Sequence, residues 1–302
     1  MTIPAVDRET EASGGLFVKE DVVKEVYKLV HDASVVDALA NHRPMSGATM
    51  RLRRQTASVD PEYVAEKGIK PKTAPTWDKI TLTAETIASI TVFTEEEVED
   101  ADIDTIAFCK TDTVERLAEV FDGFTLGYDP ATPYAYSWSG NVPVANTIAY
   151  DPTVGDIAEH VNLAMSAIEV NGYDCTGMVM HPEMKAVLRG MRDDNGNPIY
   201  AENLRDTVSG FAVFGVPTKF TRQMASSGSP ATREILLAYT PYLKIGDRLE
   251  LEVKFLTEAT ITDPDTDEKV SLAETDQVGA RFRMRKAFGI VRDDVLSKIT
   301  GV

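Results

Sequence analysis

Four histidines, two cysteines and one run of aspartates are the residues whose types could carry chemistry in this 302-residue chain. Asp263, Asp265 and Asp267, with Glu274 eleven residues after the first, reproduce the oxygen-ligand positions of an EF-hand calcium loop. The glycine that such a loop needs at its sharp turn is replaced by Glu268, and the flanks read as strands rather than helices. Asp263 to Asp267 is therefore read as a hairpin tip, and no metal is expected. His31, His42, His160 and His181 fall into no HExxH or paired spacing, and no GxSxG, GxxxxGK[ST] or GxGxxG pattern occurs. His181-Pro182 sits where a buried strand turns toward a helix, which is a structural position. Cys109 and Cys175 lie far apart without a neighbouring Cys or His at ligand spacing, as expected of free thiols in a reducing compartment. The expectation is no enzyme, no catalytic residue and no cofactor.

With chemistry set aside, charge becomes the informative property. The chain carries 31 Lys and Arg against 48 Asp and Glu, a formal net charge of −17. Such a balance opposes non-specific binding to nucleic acid, whose phosphates select proteins rich in Lys and Arg. The charge is unevenly spread. Residues 41–80 hold Arg43, Arg51, Arg53, Arg54, Lys67, Lys70, Lys72 and Lys79 against four acids, a local +4; residues 85–122 hold twelve acids against Lys110 and Arg116, a local −10. A basic segment followed at once by an acidic one suggests head-to-tail complementarity between copies of the chain, although two unrelated solvated faces would leave the same pattern. The N-terminus lacks the basic and apolar regions of a signal peptide, and no apolar run approaches 18 residues, so a soluble, non-secreted protein without a membrane partner is expected.

The elements that would position these charges follow from hydrophobic period. Residues 1–16 are polar, with a Gly14-Gly15 break, and read as an arm. Val18, Val22, Val23, Val26, Tyr27, Leu29 and Val30 then make one face of an amphipathic helix, packed either on its own core or on a partner. Strands are predicted over 49–54 and 78–93, joined by a Pro-containing stretch with few large apolar residues. Strands so joined make a projecting hairpin, which needs something to lie on. Thr94-Glu95-Glu96-Glu97 is a capping box that should open a helix to about Asp122, with Ile103, Ile106, Ala107, Val114, Leu117, Ala118 and Phe121 as its buried stripe.

From about residue 153 helices and short strands alternate, including a helix with Val154, Ile157, Val161, Ala164 and Ile168 inward and a buried strand Met178-Val179-Met180. The last sixty residues return to long alternating strands. In one of them Val278, Ala280, Phe282 and Met284 oppose Arg281, Arg283 and Arg285, an Arg row read as salt-bridged or solvated, with the acidic helix as an available partner and nucleic acid as the minority alternative.

The order of these parts resembles a known family. Ile90-Thr91-Val92-Phe93-Thr94-Glu95-Glu96-Glu97-Val98-Glu99-Asp100, Met178-Val179-Met180-His181-Pro182, Asn195-Gly196-Asn197-Pro198-Ile199-Tyr200, Phe214-Gly215-Val216-Pro217 and Asp276 to Arg283 are together similar to tailed-bacteriophage major capsid proteins of the HK97-like fold. The resemblance implies an α+β chain with residues 1–45 as N-arm, 46–84 as an extended E-loop hairpin, 85–125 with 243–302 as a peripheral domain containing a long spine helix, and 126–242 as an axial α/β domain. It implies a shell protein that assembles with itself as pentamers and hexamers around double-stranded DNA. In this fold the E-loop crosses a neighbour's peripheral domain. Arg51, Arg53, Arg54, Lys67, Lys70 and Lys72 would then meet carboxylates such as Glu95, Glu96, Glu97, Glu99 and Asp102 of the next copy.

Met1 stands only a few residues before the arm, so a separate scaffold protein is expected rather than a fused one, alongside a portal and a possible decoration protein. Residues 243–302 contain no Asn, so Lys–Asn crosslinking of the family's kind is not expected. The location expected is the virion, assembled in the host cytoplasm. The rival of the same fold is an encapsulin, a bacterial compartment that loads cargo enzymes; a third class is a soluble enzyme whose site leaves no motif.

Overall fold

The alternating segments near the C-terminus build two 14-residue antiparallel strands that pair with each other. A computed structural model of the protein describes residues 34–96, 105–128, 134–192, 195, 197, 212–224, 226–227, 232–262 and 269–302. The predicted arm and helix of residues 1–30, His31 and the Asp263 to Asp267 tip lie outside the described residues.

In chain order the strands are β1 (Asn41–Pro44), β2 (Thr49–Ala57), β3 (Thr76–Thr83), β4 (Glu85–Thr94), β5 (Thr147–Ala149), β6 (Gly177–Met180), β7 (Ala212–Val213) and β8 (Val216–Phe220). They continue as β9 (Ser226–Ser227), β10 (Thr232–Arg233), β11 (Ile235–Ala238), β12 (Leu243–Leu256), β13 (Thr260–Thr262), β14 (Lys269–Ser271), β15 (Gln277–Ile290) and β16 (Leu296–Thr300). The helices are α1 (Val35–Leu39), α2 (Thr105–Leu126), α3 (Ile157–Glu169) and α4 (Met184–Gly190).

The first sheet has the order β1-β12-β15-β4. Its period-two pattern sends Phe282 and Met284 of β15 and Ile87 and Phe93 of β4 to one face, where they share a core with Leu117 and Phe121 of α2. The 22 residues of α2 span about 33 Å at 1.5 Å per residue. Of its predicted stripe, Leu117 and Phe121 are buried and Ala118 is half-buried, Ala107 and Val114 are exposed, and the burial of Ile103 and Ile106 lies outside what is described. Upstream, Thr94 ends β4 and Glu95-Glu96 begin a helical turn, so the predicted cap residue is the last residue of a strand; Glu97 and the next seven residues lie outside the described residues.

Where the sequence suggested one strand over 78–93, two strands meet at Ala84. β3 pairs antiparallel with β2, from Thr49 opposite Thr83 out to Ala57 opposite Thr76, and residues 58–75 between them form neither helix nor strand. β4 instead joins β15 of the first sheet. The change of partner is visible in burial, which falls on Ile80, Leu82 and Ala84 before the break and on Ile87 and Phe93 after it.

The hairpin root rests on the sheet through Ile80 and Leu82, packed with Met45, Ala84 and Ala287. Leu82 fits because residue 289 is glycine: a Cβ added at Gly289 would collide with Leu82 Cδ2. Gly289→Ala is therefore expected to cost about 1–3 kcal/mol by overpacking. Chemical denaturation should show that loss together with faster protease cleavage within 49–83, and an unchanged hairpin with unchanged stability would refute the fit.

The second sheet has the order β5-β16-β11-β6-β8-β7. Its inner strands are apolar on both faces, as expected of strands covered on each side. Met178, Met180, Ile235 and Leu237 pack with Ile157, Val161, Ala164 and Ile168 of α3, while Val179, Leu236 and Ala238 enter the first core. Val154, expected inward, is 63% exposed because it precedes the first turn of α3. Although β16 lies within 243–302, it pairs with β11 and β5 in this second sheet.

Candidate assembly surfaces

The hairpin places its cations on a segment that its own subunit barely covers. Every residue from 55 to 79 is exposed, and Tyr63, Ile69 and Trp77 reach relative exposures of 109%, 96% and 61%. Among the described residues, Arg51, Arg53, Lys67, Lys70 and Lys72 have no ion-pair partner. Arg54 differs. Its guanidinium bonds Asp78 Oδ2 through Nη2 at 3.0 Å and donates through Nη1 to the Val291 carbonyl at 3.2 Å. Donors from the Lys79 backbone N–H and then Arg54 hold the exposed Asp78 carboxyl below its ordinary value. Arg54 thus ties the hairpin root to the body, a role the run of basic residues gave no sign of.

Of the carboxylates expected to receive these cations, Glu95 and Glu96 are exposed. The same subunit's hairpin forms no ion pair with them among the described residues. Glu97, Glu99 and Asp102 lie outside the described residues.

The Arg row of β15 points away from α2, because α2 packs against the opposite, Phe282–Met284 face. Its partner is therefore the adjacent strand and not the acidic helix: Arg283 Nε donates to Glu252 Oε2 at 3.0 Å. Arg281 stands opposite Lys254 in the register, and Arg285 Nη2 donates to the Ala84 carbonyl at 3.3 Å while its Nε is buried without a partner. Ile90 and Val92 of β4 share this face and are 45% and 40% exposed.

The chemistry candidates fall into structural places. The strands β13 and β14 pair on either side of residues 263–268, as a hairpin requires; Glu274 sits in a short 3-10 turn, and the described residues contain no cluster of metal-ligating side chains. His160 accepts the Asp151 backbone N–H on Nε2 at 3.1 Å and its Nδ1 faces the Asp156 carbonyl at 3.0 Å, which fixes the Nδ1–H tautomer. His181 is buried at the turn before α4, where its Nδ1 accepts the Glu183 N–H at 3.3 Å. Neither cysteine forms a disulfide among the described residues, and burial pushes the thiol of Cys175 up to about 11. A cleft of about 440 Å³ lies between the hairpin root and Tyr173 and Tyr242, with Arg53, Arg54 and Arg292 on its walls.

One set of residues escaped the sequence reading. Asp122 of α2 is 1% exposed and accepts from Ser34 Oγ at 2.7 Å, Val35 N at 2.6 Å and Val36 N at 3.3 Å, so a carboxylate from one helix caps the N-terminus of another. Asp37 of α1 bonds Lys286 of β15, and His42 of β1 bonds Asp247 of β12 at 2.8 Å. Together they clamp residues 34–44 onto the first sheet and α2. Ser34 before Val35-Val36-Asp37 is the N-cap signal that could have revealed α1; Asp122 carries no local signal.

With this geometry established, comparison with known proteins decides the family. The model of the phage capsid family matches residues 14–301. The chain belongs to the phage capsid family. A curated relative, the probable major capsid protein gp17 of Mycobacterium phage D29, is 22% identical over 189 residues, 62% of this chain and 58% of its own length. The major capsid protein of Klebsiella oxytoca phage phiKO2 is 22% identical over 263 residues, 84% of this chain and 60% of its own length. The chain thus spans about three fifths of these two relatives. A solved structure from Microbacterium phage Oxtober96 superimposes with a TM-score of 0.80 at 22% identity, over 97% of this chain and 99% of that one. The fold of this capsid-family chain is α+β and HK97-like. No described helix is long and apolar enough to cross a membrane.

Proposed function

We propose that this chain is a phage major capsid protein whose copies assemble as pentamers and hexamers into an icosahedral shell around double-stranded DNA. The observation that carries the reading is the hairpin. From residue 55 to 79 every residue is exposed, and the segment presents Tyr63, Ile69, Trp77 and cations without an ion-pair partner among the described residues. A surface of that kind is completed by a second copy.

In this reading residues 1–45 are the N-arm, 46–84 the E-loop, 85–125 with 243–302 the peripheral domain and 126–242 the axial domain, with β16 pairing into the axial sheet. Arg51, Arg53, Lys67, Lys70 and Lys72 meet Glu95, Glu96, Glu97, Glu99 and Asp102 of the neighbour, and Arg54 holds the loop at its root. The Arg281–Arg285 face and Lys254 would repel a basic hairpin, which favours the acidic segment that precedes α2 as its seat. The role is structural, with no catalysis and no cofactor. A scaffold protein, a portal and a decoration protein are the further partners, and the particle is built in the host cytoplasm to become the virion. A subunit at −17 encloses DNA without gripping it. The names of the matched relatives favour the phage shell over a cargo-loading encapsulin.

Electron microscopy of the chain expressed alone and with a scaffold protein tests the proposal. Closed shells are the expected result, while a stable small oligomer under both conditions would overturn it.

A further inference from the structure

Three guanidiniums line one cleft in a chain whose net charge is −17. One wall of this cleft, about 440 Å³ in volume, is the end of β2 and the residues after it, with Arg53 and Arg54; the other is Tyr173, Tyr242 and Arg292 of the body. No Asp or Glu lines it. Two of the guanidiniums are fixed in place. Arg292 donates through Nε to Asp294 Oδ1 at 3.1 Å and through Nη2 to Asp294 Oδ2 at 2.9 Å, and its guanidinium lies over the Tyr173 ring at 5.9 Å. Arg54 is held by Asp78 and the Val291 carbonyl. Arg53 has no ion-pair partner among the described residues, and Arg292 keeps Nη1 uncommitted there. Asp293 and Asp294 line an adjoining recess of about 260 Å³ that shares Arg54 and Arg292 with the cleft.

We propose that this cleft binds a free di- or triphosphate, clamped between Arg53 and Arg54 on the hairpin root and Arg292 on the body. A guanidinium fork pairs with two phosphate oxygens at once, so three forks on two walls ask for an anion that offers oxygens on more than one phosphorus. Tyr173, Tyr242, Thr56 and Ser58 add hydroxyls to the lining. The volume is that of a small-ligand cleft, and its concave shape between two elements, in a chain at −17, favours a free anion over the backbone of duplex DNA. Because the two walls belong to different elements, the bound anion would fasten the hairpin root to the body, beside the tie that Arg54 already makes to the Val291 carbonyl. Arg53 is also one of the cations that the capsid reading gives to a neighbour, so the site is one of the unassembled subunit.

Calorimetric titration of unassembled full-length subunits with inorganic pyrophosphate tests the site. Pyrophosphate should bind more tightly than orthophosphate. Arg53→Ala should weaken it about tenfold, the loss of one charged hydrogen-bonding partner, and Arg292→Lys, which keeps the charge and removes the fork, should weaken it as well. Lys219→Ala, on β8 of the second sheet, should leave it unchanged. No binding up to about 10 mM, equal binding by wild type and Arg53→Ala, or tighter binding of a short DNA duplex through the same arginines would each overturn the proposal. Limited proteolysis adds a readout of the clamp. Saturating pyrophosphate should slow tryptic cleavage after Arg53 and Arg54 by about an order of magnitude while cleavage after Lys67 and Lys72 keeps its rate, since protection follows the population of the open root. Slowing at all four sites alike, or at none, would count against it. Neither readout depends on shell formation, so failure here and failure of the capsid reading are separable.

Discussion

Replacing Arg51, Arg53, Lys67, Lys70 and Lys72 together with glutamate is expected to abolish closed particles while leaving the subunit's own unfolding transition almost unchanged. All five side chains are exposed and lack ion-pair partners among the described residues. Exposed charges of that kind usually move stability by no more than about 0.5 kcal/mol each. Their effect belongs to the proposed interface. The exchange converts the hairpin from a basic to an acidic element facing an acidic neighbour, and like-charge juxtaposition across an interface costs several kcal/mol. A shell repeats that contact at every subunit, so the loss falls on nucleation and closure rather than on one bond. Sedimentation and electron microscopy read the particles, and circular dichroism reads the fold. Particles at normal yield would sink the assignment. Adding Glu95→Lys and Glu96→Lys should restore part of the yield, since it reverses the partner surface as well. Arg54 is left out of the set because its bonds to Asp78 and the Val291 carbonyl make its loss a loosening of the hairpin root.

The parts of this architecture that were legible from sequence are those with a sustained period. Val278, Ala280, Phe282 and Met284 alternate against three arginines, and the structure puts Ala280, Phe282 and Met284 in the core, Val278 half-buried at the strand's start and the arginines on the open face. Met178-Val179-Met180 is apolar throughout and is a central strand. The junction at Ala84 was hidden because its two strands adjoin with only Ala84 between them, leaving no turn of Gly, Pro or Asn. What marks it is a change of parity, from Ile80 and Leu82 to Ile87 and Phe93, which a window that seeks one alternating run smooths away. The N-terminal half of α2 misled in another way. Ala107 and Val114 complete a helical stripe, but a period gives the face and not what covers it.

The charge distribution was legible in coarse form and opaque in detail for a physical reason. Local net charge is additive along the chain, so the basic hairpin and the acidic segment after it can be counted. Which cation is committed inside the subunit depends on contacts between distant residues. Arg54 meets the carbonyl of residue 291, and Arg283 takes Glu252 on the adjacent strand instead of a carboxylate on α2. Period two sets Arg54 on the face of Met50 and Leu52, opposite that of Arg51 and Arg53, but does not tell which distant carbonyl it meets. The same holds for Asp122, which in sequence is one more acid on an acidic helix and in the fold is the cap of α1.

Asp122 is also where the fold should respond most clearly to pH. Burial drives its carboxyl up to about 6 from an ordinary 3.8, against the lowering effect of the Ser34, Val35 and Val36 donors, with the negative Asp37 raising it further. A carboxyl whose folded value lies above its unfolded value binds more protons in the folded state across the interval between the two. Its contribution is complete below about pH 4 and is lost as pH rises through about 6, on the order of 3 kcal/mol over the full window. Moving from pH 7 to pH 5 should recover about 1 kcal/mol of it. Other groups move with pH as well. Asp78 and Asp151 have lowered values and lose their contributions on acidification, whereas the raised His42, held by the Asp37 carbonyl and Asp247, gains with Asp122. The difference between the wild type and Asp122→Asn isolates the one group. Asparagine keeps an acceptor for one backbone N–H of α1 and turns its amide toward the other, so the variant should be weaker at every pH, and its stability should lack the gain of about 1 kcal/mol between pH 7 and 5. Urea denaturation of unassembled subunits at the two pH values measures this, and parallel pH dependence in both proteins would show that the capping carboxyl is already ionised well below pH 5. Because residues 34–44 hang from this cap and the hairpin follows directly at Thr49, protonation would tighten the attachment of the segment that leads into the proposed assembly surface.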